Sequence, residues 1–472
     1  MRYSFARDLF LKILALIYLA AFVSFWVQAD GLIGSQGILP IKSFLELVSR
    51  QWGEMRYAAL PTLCWINSSD AFLHFLCGAG VFLSIVLIFG IAPAPILFFL
   101  WLLYLSLVNA GQDFMEFQWD SLLLEAGFLA IFLAPLRLKP KFWDDSPPSR
   151  IALWLFRWLL FRLIFSSGFV KLASGDPVWR NLTALTYHYE TQPLPTWIGW
   201  LVHQLPASFQ KFSCGFVFVS ELGIPFLLFG PRPFRIFSAG MLIFFQILIL
   251  LTGNYCFFNL LTLALCFLVM EDSSQPESPG GRSLAWPSWA AAPVFALILL
   301  ISGNQMMRLV GFRVRWPKPV SAVLLSVSAF RTVNSYGLFA VMTTSRPEII
   351  VEGSKDGMRW ETYEFKWKPG DLKRAPQFVI PHQPRLDWQM WFAALGNYHR
   401  NPWFMNFLTQ LLEGSPPVLK LLKNNPFPDV PPRYIRATVY DYHFTNRATL
   451  RREGTWWRRT PRGLYCPVLR QR

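Results

Sequence analysis

Charged residues are scarce in this chain: they make up 15% of its 472 residues, against about 25% in an average soluble protein. With 53% hydrophobic and 17% aromatic residues beside it, that deficit excludes an ordinary soluble globule and is what long lipid-facing segments produce. Cysteine is sparse too. The six, Cys64, Cys77, Cys214, Cys256, Cys266 and Cys466, form no CxxC pair, so there is no thiol-exchange motif and no zinc framework. Four lie in apolar runs, where a cysteine acts as a small core residue; Cys64 and Cys466 are left as a pair that bridges only if both face an oxidising side. No GxSxG, P-loop, GxGxxG or HExxH stands in a supporting context, so the motifs identify neither a nucleophile nor a cofactor. His188, His203 and Glu190 lack metal-ligand spacing, and no metal is expected.

Acidic residues are short in one region only. Residues 305–472 hold 26 Lys and Arg against 11 Asp and Glu, whereas residues 1–304 hold 18 against 17, so nearly all of the net charge of +16 sits in the last third. Such a region suits anionic lipid head groups or an acidic protein. Nucleic acid ranks last, because a membrane-tethered domain on the outer face would rarely meet it.

What is abundant is apolar runs of membrane length. A span needs about 20 mostly apolar residues, and about nine candidates occur: 10–28, 71–90, 92–109, 119–136, 151–171, 212–230, 234–252, 255–270 and 287–304. The first is too long, and lacks the cleavage site, for a removable signal. Positive loops place the N-terminus (Arg2, Arg7, Lys12) in the cytoplasm together with Arg137, Lys139, Lys141, Arg150, Arg232 and Arg235. Loops 29–70 and 172–211, and everything after residue 304, then lie outside. The expected organisation is a polytopic helical bundle over 1–304, an extramembrane β-rich domain with a helical insertion over 305–445, and a basic tail over 446–472. Within the second region, EIIVEGSKDGMRWETYEFKW reads as a hairpin about Asp356-Gly357 and 435–444 as a strand. Segments 388–396 and 403–412 read as helices, giving an α+β or β-sandwich-like domain. A Pro/Gly/Ser linker is expected at 272–287.

The chemistry is expected where charge meets these runs. Glu116, Asp120 and Glu125 lie in or beside the fourth run, and Arg157, Arg162 and Lys171 in the fifth. A charge at the bilayer centre costs about 2.5–3.5 kcal/mol, so such residues face a bundle interior and have partners. Two adjacent runs of opposite sign suggest that the carboxylates pair with the arginines. Such ions either pin neighbouring helices or build a substrate or lipid site, and both readings stand. Lys171 either snorkels to the interface or, if desolvated, serves as a base. Tyr187, His188 and Glu190 next to it form a binding mouth or part of an interfacial aromatic belt, and Trp197 and Trp200 suggest a short helix lying in the interface. In the outer domain Arg346, Glu348, Trp360, Tyr363 and Phe365 frame a candidate partner-binding edge; the aromatics serve equally as core. Asn67-Ser68-Ser69 and Asn181-Leu182-Thr183 are glycosylation sequons on the expected outside.

Several long segments carry a resemblance. GQDFMEFQWDSLLLEAGFLAIFLAP, VKLASGDPVWRNLTALTYHYETQPLP, NSYGLFAVMTTSRPEIIVEGSKDGMRWETYEFKWKPGD, PHQPRLDWQMWFAAL, NPWFMNFLTQLLEGSPPVLKLLKNNPF and PPRYIRATVYDYHFT resemble the lipase maturation factor family over about residues 30–445. The resemblance implies a multi-pass membrane protein that helps secreted lipases, or other exported proteins, to fold and assemble. It places the protein in the endoplasmic reticulum membrane, or in the inner membrane if the chain is bacterial, as its compact size suggests, with a lumenal or outer C-terminal region that meets the client. GFVKLASGDPVW is also similar to the segment around the catalytic lysine of vitamin-K-dependent γ-carboxylase. That likeness would put the lysine at Lys171 and implies an intramembrane enzyme acting with a quinone or lipid.

Overall fold

The computed structural model describes residues 3–139, 141, 148–270 and 286–471; all but the last two residues of the expected linker at 272–287 lie outside these. A helix stands at each of the nine expected positions: α1 Tyr3–Trp26, α2 Asp70–Ile88, α3 Pro93–Ala110, α4 Gln118–Leu133, α5 Arg150–Ala173, α6 Ala207–Phe229, α7 Arg232–Thr252, α8 Phe258–Val269 and α9 Ser288–Leu309. Local signals set their ends. Ser69 and Ser149 cap α2 and α5 by accepting from the backbone N–H of Phe72 and Ala152, and Pro93 opens α3 where its missing N–H costs nothing.

Seven of the nine, all but α4 and α8, are long and apolar enough to cross a bilayer, which corrects the count of nine. Pro135 pushes the preceding Ala134 into extended backbone and stops α4 at 16 residues; α8 has only 12. Both are buried along nearly their whole length, wrapped by the other helices. A helix that is apolar all round is buried, whether in protein or in lipid, and apolar counting does not separate the two cases.

After α9 comes α10, Lys318–Ser328, an apolar helix with no buried residue. The chain then enters one antiparallel sheet of five strands: β1 Pro347–Ser354, β2 Glu361–Tyr363, β3 Tyr434–Phe444, β4 Trp457–Leu464 and β5 Leu469–Arg470. The order is β2-β1-β3-β4, with β5 also beside β3. The hairpin about Asp356-Gly357 sets Val351 opposite Tyr363, and β1 pairs with β3 with Ile349 opposite Val439. Helices α11 (Arg385–Ala394) and α12 (Pro402–Leu412) lie between β2 and β3 in sequence and pack on the sheet. The domain is therefore α+β with a single sheet rather than a sandwich.

The segment expected as a basic tail is part of that sheet. Asn446 caps a short helix, Arg447–Glu453, and Gly454 leaves it at φ 69°. Then β4 runs along β3 from the Phe444–Trp457 pair onward. Trp457 is buried, and the rest of β4 is an exposed edge carrying Arg458, Arg459 and Arg462. Exposed arginines and a proline along an edge strand protect it from pairing with other chains; in sequence the same composition looks like a solvated tail. All six cysteines are buried and unpaired, Cys64 and Cys466 included.

Candidate functional site

Two groups of buried charge in the bundle bear on function: ion pairs that clasp the C-terminal domain, and a lysine–glutamate pair on the wall of a cavity.

Asp120 is completely buried on α4 and meets Arg385 of α11 through two parallel bonds of 2.8 and 2.9 Å. The guanidinium also donates to the carbonyl of Phe114 (2.6 Å), and Tyr104 donates to the same carboxylate. Five residues along α4, Glu125 pairs with Arg162 of α5. Glu125 also accepts from the backbone N–H of Asn334 and from the hydroxyl of Tyr336, both at 2.8 Å. One expected partnership between α4 and α5 therefore forms, Glu125–Arg162, while Asp120 reaches outside the bundle. Arg157 is half-buried on α5. Glu116 is exposed and sits before α4 begins, so it does not share a helix face with Asp120.

Further bonds hold the segment leading into β1. Gln118 accepts from the N–H of Gly337 (3.1 Å), Trp179 donates to the carbonyl of Phe339 (2.9 Å), and Asp176 accepts from the N–H of Met342 (2.7 Å). Arg346 then donates to the carbonyls of Glu190, Gln192 and Pro193, at and just beyond the end of the short helix Ala184–Thr191, and forms a buried ion pair with Glu348, itself paired with Lys368. Glu190 accepts from His443 and from the backbone N–H of Phe444. Trp200, expected in an interfacial helix, is instead buried against the sheet with its indole N–H on the carbonyl of Thr445. This network removes most of the residues read as a partner-binding edge. Arg346, Glu348, Tyr363 and Phe365 are all buried, and Trp360 is half-buried with the guanidinium of Arg436 over its ring at 4.3 Å.

The second group centres on Lys171, in the last turn of α5. Its ammonium donates to both oxygens of Glu221 (2.9 and 2.8 Å) and to the carbonyl of Ser167 (3.0 Å), which uses all three of its protons. Trp179 lies 5.4 Å from it in cation–π contact. Glu221 lies on a π turn of α6, Val219–Gly223, followed by 3₁₀ geometry from Ile224. Pro225 explains the distortion, since it has no N–H and its ring displaces the preceding turn; Ser238 of α7 donates to the carbonyl of Ile224 at 2.9 Å. Close approach of α5 requires Gly168: a Cβ there would stand 2.7 Å from Cβ of Glu221.

Lys171 and Glu221 line a cavity of about 490 Å³, walled mainly by apolar side chains of α5, α6 and α7. Its polar lining includes His188, Tyr255, and Gln246 with Asn259, whose amides bond each other at 2.7 Å. Lys171 is thus neither snorkelled to an interface nor free. Tyr187, which precedes His188 in sequence, is exposed. Among the described residues no three His, Cys, Asp or Glu side chains gather as a metal site.

Burial and the neighbouring Lys171 hold the His188 imidazole down at about 4. Burial, with Arg385 and Lys366, does the same to His382, which bonds Ser24 of α1. Both rings resist protonation in the folded state, whereas an unfolded histidine takes up a proton near 6.5. Their contribution to stability is therefore complete above about pH 6.5 and is lost as pH falls toward 4. The unfolding midpoint of the detergent-solubilised protein should fall between pH 7 and 5, less steeply for His382→Asn; equal slopes would rule this out.

The comparisons with known proteins cover nearly the whole chain. A family model described as the lipase maturation factor transmembrane domain matches residues 5–276, and one described as the lipase maturation factor C-terminal domain matches residues 332–467. The chain is 37% identical to lipase maturation factor 2 of Xenopus tropicalis and 36% identical to that of Homo sapiens, in each case over 96% of this chain and 81% of the relative. It is 36% identical to lipase maturation factor 1 of Mus musculus over 98% of this chain and 87% of the relative. These relatives are vertebrate, so they lend no support to a bacterial origin. No solved structure matches.

Proposed function

The chain belongs to the lipase maturation factor family, and from that membership we propose that it is a multi-pass membrane protein that assists the folding and assembly of secreted lipases, with its sheet domain turned toward the client in the lumen of the endoplasmic reticulum. The observation that carries this reading is similarity extending through both regions to relatives named for lipase maturation. The structure adds a physical reason for expecting a scaffold: buried ion pairs fasten the sheet domain to the bundle, so a client that touches the domain is held at a fixed place beside the membrane.

With Arg346, Glu348, Tyr363 and Phe365 withdrawn into the interior, the client surface we favour is the basic edge formed by β4 and the helix before it, where Arg451 and Arg458 are exposed. The test uses cells that lack their own lipase maturation factors and express a secreted lipase. This chain should restore secreted lipase activity, and the R451E/R458E variant, present at the same level, should restore less. Lipase activity that stays at background although the chain reaches the membrane intact would refute the proposal.

One observation favours a second reading. Lys171 lines a cavity, as a γ-carboxylase-like intramembrane enzyme using that lysine and acting with a quinone or lipid would require. Against it, all three protons of the ammonium are engaged, two by Glu221 and one by the carbonyl of Ser167.

A further inference from the structure

The cavity beside Lys171 has hydrogen-bond bookkeeping that specifies what would fill it. Gln192 donates through Nε2 to the carbonyl of Thr252 at 2.7 Å, so its Oε1 is an acceptor. Tyr255 has a single hydroxyl proton and gives it to that Oε1 at 2.8 Å. The tyrosine oxygen can then only accept from His188, whose Nε2 lies 3.2 Å away, and this places the imidazole proton on Nε2. Nδ1 of His188 is left with a bare lone pair, and it is buried and without a partner among the described residues. A buried acceptor of this kind costs stability unless something donates to it.

The charges specify the rest. Glu221 neutralises Lys171, and all three ammonium protons are engaged, so nothing is free to bind an anionic head group. Gln246 and Asn259 satisfy each other in part. The remaining walls are mainly apolar, and the volume of about 490 Å³ lies in the range of small-molecule sites. Phe212 on α6 and Phe244 on α7, both lining residues, are exposed on helices of membrane length. The cavity thus has an apolar rim between two helices that lipid would surround.

We propose that this cavity binds an uncharged amphiphile bearing a hydroxyl group, which enters from the hydrocarbon phase between α6 and α7 and donates its hydroxyl proton to Nδ1 of His188. The occupant is a neutral membrane lipid such as a diacylglycerol. The proposal needs neither a reaction at Lys171 nor a lipase client.

The experiment uses the full chain in lipid nanodiscs with three photoreactive, clickable probes sharing the same acyl chains: diacylglycerol, its acetylated triester without a hydroxyl, and phosphatidic acid. After irradiation, peptides covering 207–252 are quantified. Diacylglycerol should label them about fivefold or more above the other two, the ratio one net hydrogen bond gives. His188→Phe, which keeps the ring shape, should erase that preference; Ser213→Trp, which fills the cavity from its half-buried wall, should erase the labelling itself. Equal labelling by all three probes would mean ordinary surrounding lipid and would overturn the proposal. So would labelling by phosphatidic acid as strong as by diacylglycerol, or a preference that survives both variants. If either variant fails to fold, the ranking of the three probes on the parent protein still decides.

Discussion

Arg385→Leu should be among the most damaging single substitutions in this protein, costing about 3–5 kcal/mol, because it strands Asp120 as a buried carboxylate with no cation. Tyr104 still donates to that carboxylate, but a neutral hydroxyl does not replace two charge-assisted bonds. The loss should be local at first. Arg385 also holds the carbonyl of Phe114, so the contact between α11 and the approach to α4 should open before the bundle melts. Limited proteolysis of the purified variant should cut between bundle and sheet domain while the parent resists, and the thermal midpoint should drop. The D120L/R385M double variant removes both charges and fills similar volume, and buried pairs exchanged in this way are often neutral or better. Its midpoint should therefore return close to the parent's, a large non-additivity that only direct coupling produces. A double variant as unstable as R385L would show that Arg385 acts through its other contacts.

The partnership was not legible in the sequence, though half of it was. A carboxylate inside an apolar run announces a buried partner, and Asp120 and Glu125 have one each. Helix periodicity and adjacency, however, reach only along one helix or to its neighbour, and Arg385 is 265 residues away in the other domain. Glu125 with Arg162 joins consecutive helices and so could be read. Glu221 was overlooked although the same signal marked it: it is the only acidic residue in the run 207–229, with Pro225 close behind to announce an irregular turn. The sheet was readable from its hairpin and from the alternation of 435–444, whereas β4 was hidden because an edge strand dressed in arginine has the composition of a tail. Arg346 and Glu348 frame an edge in the sequence pattern; in the fold the carbonyls of residues 190, 192 and 193 and the ammonium of Lys368 satisfy them in the interior. Spatial partners, rather than residue types, were what the linear order concealed.

Lys171→Met should also destabilise by about 3–5 kcal/mol, since Glu221 is left in an apolar wall without its cation. That prediction bears directly on whether this lysine performs chemistry. A loss of lipase maturation in K171M alone has two causes that look alike, a missing base and a damaged fold. The K171M/E221M double variant separates them. It removes the whole pair, keeps the volume, and leaves Gly168 free to hold α5 against the π turn of α6; its thermal midpoint should recover most of what K171M loses. If the pair serves only to fasten α5 to α6, the double variant should restore lipase secretion to nearly the parental level. If the amine acts on a bound substrate, secretion should remain abolished in a protein that is folded and membrane-inserted, because no repacking replaces a nucleophile or base. With Glu221 and Ser167 absorbing every proton of the ammonium, we expect restoration. A stable double variant without maturation activity would instead favour an intramembrane reaction.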